Sequence, residues 1–373
     1  MAIGTYELWL DHWNGTRLAY LDSMLELEYT RVIGGVGMIG LTMPSSFNES
    51  LLKEDYKIEV WRGLPGVPKR LENVYVTRGW RKWTDSHGVD KLTIIGVDGN
   101  DILKRRWVWT SLDGGSVDVH DDYAADIAKQ LVRDALSNSD AGSIRGNLSS
   151  YVKVQSNNNM GAKFKKGYAD RVLWDAVEAC LQTSKGRGSP LVWYMMPLSG
   201  SKYEFRVYKT RMGQNRSGSV VLTVDSPLTL MSNEYDYIDQ TNLVWVKGGH
   251  WTGSYANYRK WEKVYNSSRI RKSPFSYSEM IVDAGEEHDT DHLTEMANEE
   301  LALPEHLAKE ILTVTLQDTD ILQYGRDWDL GDTLGISYRG RQTTGTVNAI
   351  YVEMKESEKV HTRLKIEAAF TPT

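Results

Sequence analysis

The spacing of the apolar residues changes twice along this chain of 373 residues, and that change limits the fold more than any single motif. In the first hundred residues, apolar side chains alternate with polar ones. Leu25, Leu27 and Tyr29 are separated by two glutamates, which is typical of a strand with one buried face. Turn signals such as Asn14-Gly15 separate these stretches. The pattern predicts a barrel or sandwich rather than a parallel α/β sheet.

Strands of this kind are predicted in both halves of the chain. In the first half they are Tyr6–Leu10, Leu25–Tyr29, Ile39–Met43, Lys57–Arg62, Asn73–Arg81 and Lys91–Val97. In the second half they are Leu191–Met196, Tyr203–Lys209, Ser219–Val224, Leu243–Lys247, Glu279–Asp283, Ile311–Leu316, Thr333–Tyr338, Thr346–Met354 and Thr362–Ala368.

Helical spacing replaces the alternation in the middle of the chain. Apolar residues recur every three or four positions from Asp122 to Leu136, and again from about Ala169 to Gln182. A third helix is predicted at about Asp291–Leu303, ending against Pro304, which cannot continue it without losing a hydrogen bond. The polar stretch Ser137–Gly161 is expected to be a long, exposed and flexible loop.

The order of these segments predicts a mainly β (α+β) fold with a helical insert. The predicted domains are a first β-barrel-like domain at 1–100, a helical insert at 101–190 with its flexible loop at 137–161, a β-rich connecting segment at 191–235, and a second β-barrel-like domain at 236–373 with one helix near 291–303.

Composition excludes several classes of protein. The net charge is -6 with acidic and basic residues interspersed, which argues against nucleic-acid recognition. The single cysteine, Cys180, excludes an internal disulfide and a cysteine-based zinc site, and we expect it to pack as a small apolar residue on a helix face. We expect no export signal and no membrane span, since no run of about 18 apolar residues occurs.

A cluster of acidic residues surrounds two histidines just before the third predicted helix. It consists of Glu286, Glu287, His288, Asp289, Asp291 and His292. On a helix the two histidines would share a face and could bind a metal together with an aspartate. The order HDTDH has no glutamate in the general-base position of a zinc protease. We therefore interpret the cluster as an acidic helix start, favoured by the helix dipole, with no bound metal.

Other sequence patterns associated with catalysis have simpler explanations. Paired carboxylates, which glycoside hydrolysis needs, occur at Asp98/Asp101 and Asp318/Asp320, and we interpret both pairs as solvated turns. The segment Gly34–Gly37 lacks the lysine of a phosphate loop and is interpreted as a flexible β-turn. No serine-hydrolase or nucleotide-binding motif is present. The sequence therefore predicts no catalytic, cofactor-binding or metal-binding residues.

The aromatic composition is uneven, with 13 Trp and 20 Tyr but 5 Phe. Trp and Tyr have an apolar body and a polar tip and suit interfaces, although their preference for strands accounts for part of the excess. Flat rings also stack on sugars. The tryptophans considered for a sugar-binding groove are Trp80, Trp83, Trp107, Trp109, Trp245, Trp251 and Trp261. We interpret them as core or subunit-interface residues, and the basic runs Lys165-Lys166 and Arg269–Lys272 as solvated surface.

Six segments occur in a distinctive order along the chain. They are Tyr6–Pro44, VDGNDILKRRWV (Val97–Val108), DDYAADIAKQLVRDAL (Asp121–Leu136), NLVWVKGG (Asn242–Gly249), EMIVDAGEE (Glu279–Glu287) and YGRDWDLGDTLGISY (Tyr324–Tyr338). In order and spacing they resemble the tail-hub proteins at the tail tip of long-tailed bacteriophages with siphovirus morphology. Asn266–Lys272 departs from the more regular arginine-bearing segment of that family, so no shared role is assigned to it.

The resemblance implies a non-enzymatic structural protein of the virion, built from two β-barrel-like hub domains around a helical insert. Three copies would form a homotrimeric ring of six barrels that adapts the six-fold tail tube to three-fold tip components. The implied partners are further copies of the chain, the tail tube or distal-tail ring, and a central fibre or spike. Assembly would take place in the host cytoplasm, and no cofactor is implied.

Two other functions remain open. A carbohydrate-binding tail module that contacts the host surface would show an exposed cluster of tryptophans on a concave face. A tail-associated hydrolase would need carboxylates, or the pair His288 and His292, converging in a deep pocket.

Overall fold

The computed structural model describes residues 4–108, 118–137, 146–168, 171–223, 228–236, 240–250, 259–267, 277–285, 287–303, 306, 309–316, 322–338, 341–355 and 358–366. Within these residues the chain forms 23 strands and four helices, and most strands belong to one large, mostly antiparallel sheet. The prediction of a mainly β (α+β) fold is therefore confirmed.

The first seven strands follow the predicted alternation. They are β1 Thr5–Asp11, β2 Arg17–Tyr20, β3 Glu26–Val32, β4 Met38–Pro44, β5 Lys57–Leu64, β6 Val67–Thr84 and β7 Asp90–Asp98. Leu8 and Leu10 of β1 are buried, whereas Trp9 between them is partly exposed, because successive side chains point to opposite faces of a sheet. The strands predicted in this region are confirmed.

The helical insert follows β7. Its elements are α1 Asp101–Lys104, β8 Trp107–Val108, β9 Asp118–Tyr123, α2 Ala124–Leu136, β10 Val152–Val154, β11 Lys163–Tyr168, β12 Arg171–Val172, α3 Leu173–Gly186, β13 Leu191–Leu198 and β14 Lys202–Lys209. Helices α2 and α3 pack on each other and on the β13–β14 hairpin, and this core extends to Val74 and Val76 of β6. Both predicted helices are confirmed, and Cys180 is buried in this core as expected.

The polar stretch after α2 is exposed at most of its described positions, as predicted, and hydrogen bonds and strand pairing hold parts of it against the insert. In its described part, 146–161, strand β10 pairs in parallel with β14. Further along, the Asp126 carboxylate accepts the backbone N–H groups of Asn158 (3.0 Å) and Asn159 (2.8 Å). The amine of Lys129, also buried, donates to the side chain of Asn158 (2.5 Å). These polar residues satisfy a charged pair inside the fold, so the described part is fixed to α2.

The second half returns to the large sheet and carries a small separate unit. Its elements are β15 Val221–Thr223, β16 Leu228–Asp236, β17 Leu243–His250, β18 Arg259–Tyr265, β19 Glu279–Asp283, α4 Thr290–Leu301, β20 Lys309–Leu316, β21 Thr333–Tyr338, β22 Arg341–Met354 and β23 Glu358–Ile366. Strands β18, β17 and β19 form a small sheet, and α4 covers one of its faces. Helix α4 is shorter than predicted, and Pro304 lies outside the described residues.

The large sheet joins the two ends of the sequence. Its order is β16-β20-β23-β22-β3-β4-β7-β6-β5-β1-β2, with β21 beside β22 and β15 beside β21. Strand β22 pairs with β3, placing Val352 opposite Tyr29. Buried side chains from both halves form one continuous core. The path does not return to its first strand within the described residues, so these strands form no closed barrel.

Candidate functional site

The predicted histidine cluster lies at the start of α4, where it caps the helix. The Asp289 carboxylate accepts the backbone N–H groups of Asp291 (2.8 Å) and His292 (3.4 Å). Hydrogen bonds from the backbone of Asp289 and from His292 lower the pKa of Glu287 to about 2, and the same contact with Glu287 (2.9 Å) raises the pKa of His292. In the described part of the chain, no three potential metal ligands converge. The predicted acidic helix start is confirmed.

Replacing Asp289 by alanine is expected to lower the free energy of unfolding by about 1 kcal/mol, because two N–H groups of the first turn lose their acceptor. Urea denaturation measures this loss. Asp291→Ala is the matched control, with a smaller expected loss of about 0.3 kcal/mol, since it removes only an interaction with the helix dipole. Equal losses in the two variants would contradict the capping role of Asp289.

The carboxylates of Asp98 and Asp101 lie in different environments. Asp98 is buried and accepts the backbone N–H of Asn100 (3.1 Å), and burial raises its pKa to about 8. Asp101 instead pairs with Arg105 (2.6 Å) and Arg78 (3.3 Å). The interpretation as a solvated turn is therefore wrong for Asp98, which is the buried last residue of β7. Three acidic candidates, Glu286, Asp318 and Asp320, lie outside the described residues.

The glycine-rich segment Gly34–Gly37 forms a turn, as interpreted, and the turn is tightly packed. Gly34 has a φ of +67°, which glycine adopts without strain. A side chain on Gly37 would collide with the carbonyl of Thr30 and the carboxylate of Asp98. The segment therefore has a packing role at the end of β7, without any feature of a phosphate-binding loop.

Two ion pairs attach α4 to the helical insert. The amine of Lys166 lies 3.3 Å from the carboxylate of Glu299, and Arg187 pairs with Glu295. An open cleft of roughly 720 Å³ lies between the end of α3 and α4, and its lining includes Arg187, Glu295 and Glu299 together with Asp289, Asp291 and His292 of the predicted cluster. Glu295 and Glu299 are engaged in these ion pairs and the Asp289 carboxylate caps α4, so these three carboxylates do not form the convergent pair that a hydrolase requires. The basic run Arg269–Lys272 lies outside the described residues.

The candidate tryptophans are spread over several elements. Trp80, Trp107 and Trp261 are exposed, Trp83 and Trp245 are partly buried, and Trp109 and Trp251 lie outside the described residues. Trp245 and Trp261 are on one face of the small sheet, and the amine of Lys263 lies 5.3 Å from the centre of the Trp245 ring. Because a lysine lies over this ring, the face resembles a packing surface more than an open sugar platform.

A buried ionic network, which the sequence analysis does not identify, joins the first half of the chain to the segment before β21. The carboxylate of Glu72 in β6 is fully buried between Arg31 of β3 (3.3 Å) and Arg70 (2.6 Å). The same two arginines bind the carboxylate of Asp329, at 3.1 and 2.6 Å. Arg31 also donates to the hydroxyl of Tyr324 (2.7 Å), and that hydroxyl donates to Glu72.

Electrostatics and hydrogen bonding stabilise this network despite its burial. Burial alone would raise the pKa of Asp329, but Arg31 and Arg70 hold it below its ordinary value. Burial raises the pKa of Tyr324, so its hydroxyl stays protonated and can donate. Arg62 of β5 donates to the backbone carbonyl of Tyr324 (2.6 Å) and lies over its ring. The network thus attaches one segment of the second half to β3, β5 and β6.

A second buried cluster attaches the insert to β1 and β5. Ser201, in the turn between β13 and β14, donates its backbone N–H to Glu59 (2.8 Å) and its hydroxyl to Asp11 (2.6 Å). The amine of Lys57 donates to the Ser201 carbonyl (2.5 Å), and burial lowers its pKa to about 8. Arg17 pairs with both carboxylates from the solvent side. The two clusters together connect the first half of the chain, the helical insert and the segment before β21.

This fold is that of bacteriophage tail proteins. The chain is similar to the 43 kDa tail protein of prophage MuSo2 from Shewanella oneidensis, with a TM-score of 0.62 at 12% sequence identity, over 98% of this chain and 100% of that one. The tail protein from Neisseria meningitidis MC58 matches with a TM-score of 0.61 at 13% identity, over 98% of each chain. A chain of the Francisella PdpA–VgrG complex matches with a TM-score of 0.51 at 13% identity, over 100% of this chain and 54% of that one. The resemblance to phage tail proteins is thus confirmed for the fold.

No protein-family model matches the sequence, nor does any curated protein. None of the helices in the described ranges has the length and apolarity needed to cross a membrane.

Proposed function

We propose that this chain is a non-enzymatic structural subunit of a bacteriophage tail, located in the hub at the tail tip. The observation that carries the proposal is the extent of the structural match, which spans 98% of this chain and 100% of the MuSo2 tail protein. The insert and the small unit therefore belong to the shared architecture, together with the large sheet. The six ordered sequence segments support the same class of protein.

The chemistry of the described residues also fits a structural role. The charged groups with the deepest burial, such as Glu72, Glu59 and Asp126, are engaged with arginine, lysine or backbone groups within the fold. An active site, by contrast, places perturbed groups in a cleft that a substrate can enter. Buried ionic networks that connect the parts of the chain instead suit a subunit that keeps one shape within a larger assembly.

We further propose that three copies form a ring that adapts the six-fold tail tube to three-fold tip components. Each chain would contribute two β-barrel-like domains, 1–100 and 236–373, with the insert at 101–190 and the connecting segment at 191–235. In the large sheet, strands β1–β7 of the first domain lie towards one end, and β20, β22 and β23 of the second lie on the other side of the β3–β22 pairing. Three chains with two similar units each would present six units to a tube.

The proposed partners and location follow from this ring. One side of it would contact the tail tube or the distal-tail ring, and the other would contact a central fibre or spike. The protein would be a tail-tip component of a virion with siphovirus morphology, assembled in the host cytoplasm.

The purified full-length chain is expected to sediment as a homotrimer that dissociates on dilution. Permanent interfaces of this kind bury on the order of 2,000 Å² or more, and the stability of such assemblies depends on protomer concentration. Sedimentation velocity over a concentration series measures the mass, and negative-stain images of the largest species should show three-fold symmetry with six similar lobes.

The contrary outcome would be a chain that stays monomeric and binds one glycan on an array. If Trp261→Ala abolished that binding, the carbohydrate-binding module would replace the hub, because Trp261 and Trp245 share an exposed face. Trp107→Ala is the control for that experiment, since Trp107 is equally exposed on a different element, β8.

A further inference from the structure

The small unit, formed by β17, β18, β19 and α4, has an apolar core of its own. This core consists of Val244 and Val246 of β17 and Leu293, Ala297 and Leu301 of α4, and side chains of β18 and β19 pack against them. The core of the large sheet and the core of the insert contain none of these residues. The small unit therefore buries its core residues within itself rather than against the rest of the chain.

The small unit is connected to the large sheet at one place. Strand β16 ends at Asp236, which lies opposite Lys309, the first residue of β20, so the two connections leave the sheet side by side. They are also joined to each other. Thr241 donates its backbone N–H to the His306 carbonyl (3.1 Å), and its hydroxyl lies 3.3 Å from the Nδ1 atom of His306. We call this paired segment at Thr241 and His306 the stalk. Two connections that leave from one point permit rotation about that point.

A second attachment, between α4 and the insert, depends on charge. It consists of the ion pairs of Lys166 with Glu299 and of Arg187 with Glu295, whose side chains are 19% to 37% exposed. Ion pairs with this exposure are weak and are screened by salt. The open cleft lies beside them, so this contact is neither large nor apolar. Relative motion is the expected behaviour of two units joined by such a contact.

The two walls of the cleft differ in charge. Glu295 and Glu299 belong to α4, together with the exposed Asp291, whereas the insert contributes Arg187 and Lys166. Attraction between the walls favours a closed position. In an open position the acidic side of α4 faces solvent, where it can bind a cationic surface other than that of the insert.

We propose that the small unit is a hinged lobe that turns about the stalk and is held closed on the insert by the pairs Lys166–Glu299 and Arg187–Glu295. Loss of these pairs opens the cleft and exposes the acidic side of α4. In an assembly, a cationic surface on a neighbouring subunit would compete with Lys166 and Arg187 and so move the lobe. This inference concerns one chain and does not depend on the proposed homotrimer.

The test measures the distance between α3 and α4 in the full-length chain. Nitroxide labels are attached at Asp175→Cys in α3 and Thr290→Cys in α4, which are exposed positions outside the two ion pairs. The native Cys180 stays unlabelled, because it is fully buried and burial raises its pKa to about 12. An excess of unlabelled chain removes distances between subunits. Pulsed electron paramagnetic resonance should give one short distance at low salt. A second, longer distance should appear in about 1 M sodium chloride, where the screening length is about 3 Å.

The variant Glu295→Lys/Glu299→Lys should open the lobe without added salt. Both ion pairs are lost, and the new lysines repel Lys166 and Arg187. The ratio of the open to the closed population should rise by about tenfold or more over the wild type. Asp22→Lys/Glu54→Lys is the matched control, since it makes the same change in net charge at two exposed positions of the first half. It should keep the short distance.

A charge exchange separates a lost ion pair from a lost fold. Arg187→Glu alone should open the lobe, because it places a carboxylate opposite Glu295. Arg187→Glu combined with Glu295→Arg restores a pair of opposite charges and should restore the short distance. Circular dichroism should be the same for all variants. If the lysine double variant is unfolded, the exchange and the salt series on the wild type carry the test.

The outcomes distinguish this inference from the proposed function. A single short distance in the wild type at high salt and in every folded variant would overturn the hinged lobe. Equal opening in the control variant would overturn the role of the two ion pairs. A wild-type chain that is monomeric at every concentration would overturn the proposed homotrimer and leave the hinged lobe intact.

Discussion

Replacing Glu72 by glutamine should lower the free energy of unfolding by about 3–5 kcal/mol, because the buried Arg31 and the partly buried Arg70 lose the carboxylate between them. Glutamine has nearly the same volume, so the loss reports charge and hydrogen bonding without a cavity. The hydroxyl of Tyr324 also loses a charged acceptor. Urea denaturation followed by circular dichroism measures the effect. Limited proteolysis should then cleave first within residues 322–332, the segment that the network attaches to the first half.

The matched control for this substitution is Glu7→Gln. Glu7 also pairs with a cation, Lys69, but both side chains are more than one-third exposed, and such pairs contribute at most about 1 kcal/mol. If the two substitutions had the same small effect, the buried network would contribute no more than a surface ion pair. The attachment of the two halves would then depend on the β3–β22 pairing and the apolar core alone.

The spacing of apolar residues predicts most of the helices and strands. This works because the periodicity within one element already determines which of its side chains face the core. In β3, Leu27 and Tyr29 are buried as their alternation with glutamates indicates. In α2, the residues at helical spacing, such as Ile127 and Leu131, face the core of the insert. The less regular strands β16 and β18 are missed, since β18 carries Trp261 and Tyr265 on its exposed side and so does not show the usual polar outer face.

Pairing between distant segments cannot be read from such spacing. Arg31 does provide a local signal, because it continues the inward register of Leu27 and Tyr29 and therefore points a charge at the core. That signal indicates a buried partner without identifying it. Glu72 and Asp329 become its partners only when β6 and the segment before β21 are folded against β3.

The polar stretch after α2 makes contacts that its composition does not predict. Its asparagines favour turns and loops, and the expected flexible loop follows from that preference. The structure instead places this stretch over two charged side chains on α2, Asp126 and Lys129, whose side chains are inaccessible to solvent. The two charges lie 3.3 Å apart, and backbone groups of the stretch supply their remaining hydrogen bonds. The charged pair on the apolar helix face is a signal in the sequence that buried polar partners must lie nearby.

Asp126→Asn is therefore expected to lower the free energy of unfolding by about 3–5 kcal/mol, because the buried amine of Lys129 is left without a counter-charge. The same substitution should speed proteolysis within residues 155–160, since it weakens the acceptor of two backbone N–H groups there.

The double variant Asp126→Asn/Lys129→Met should lose less stability than Asp126→Asn alone, because no uncompensated charge remains in the core. Equilibrium denaturation of the wild type, both single variants and the double variant gives the interaction energy of the pair as a double-mutant cycle. Strictly additive losses would show that Asp126 and Lys129 do not depend on each other, and the stretch would then be held by its asparagines and by the β10–β14 pairing.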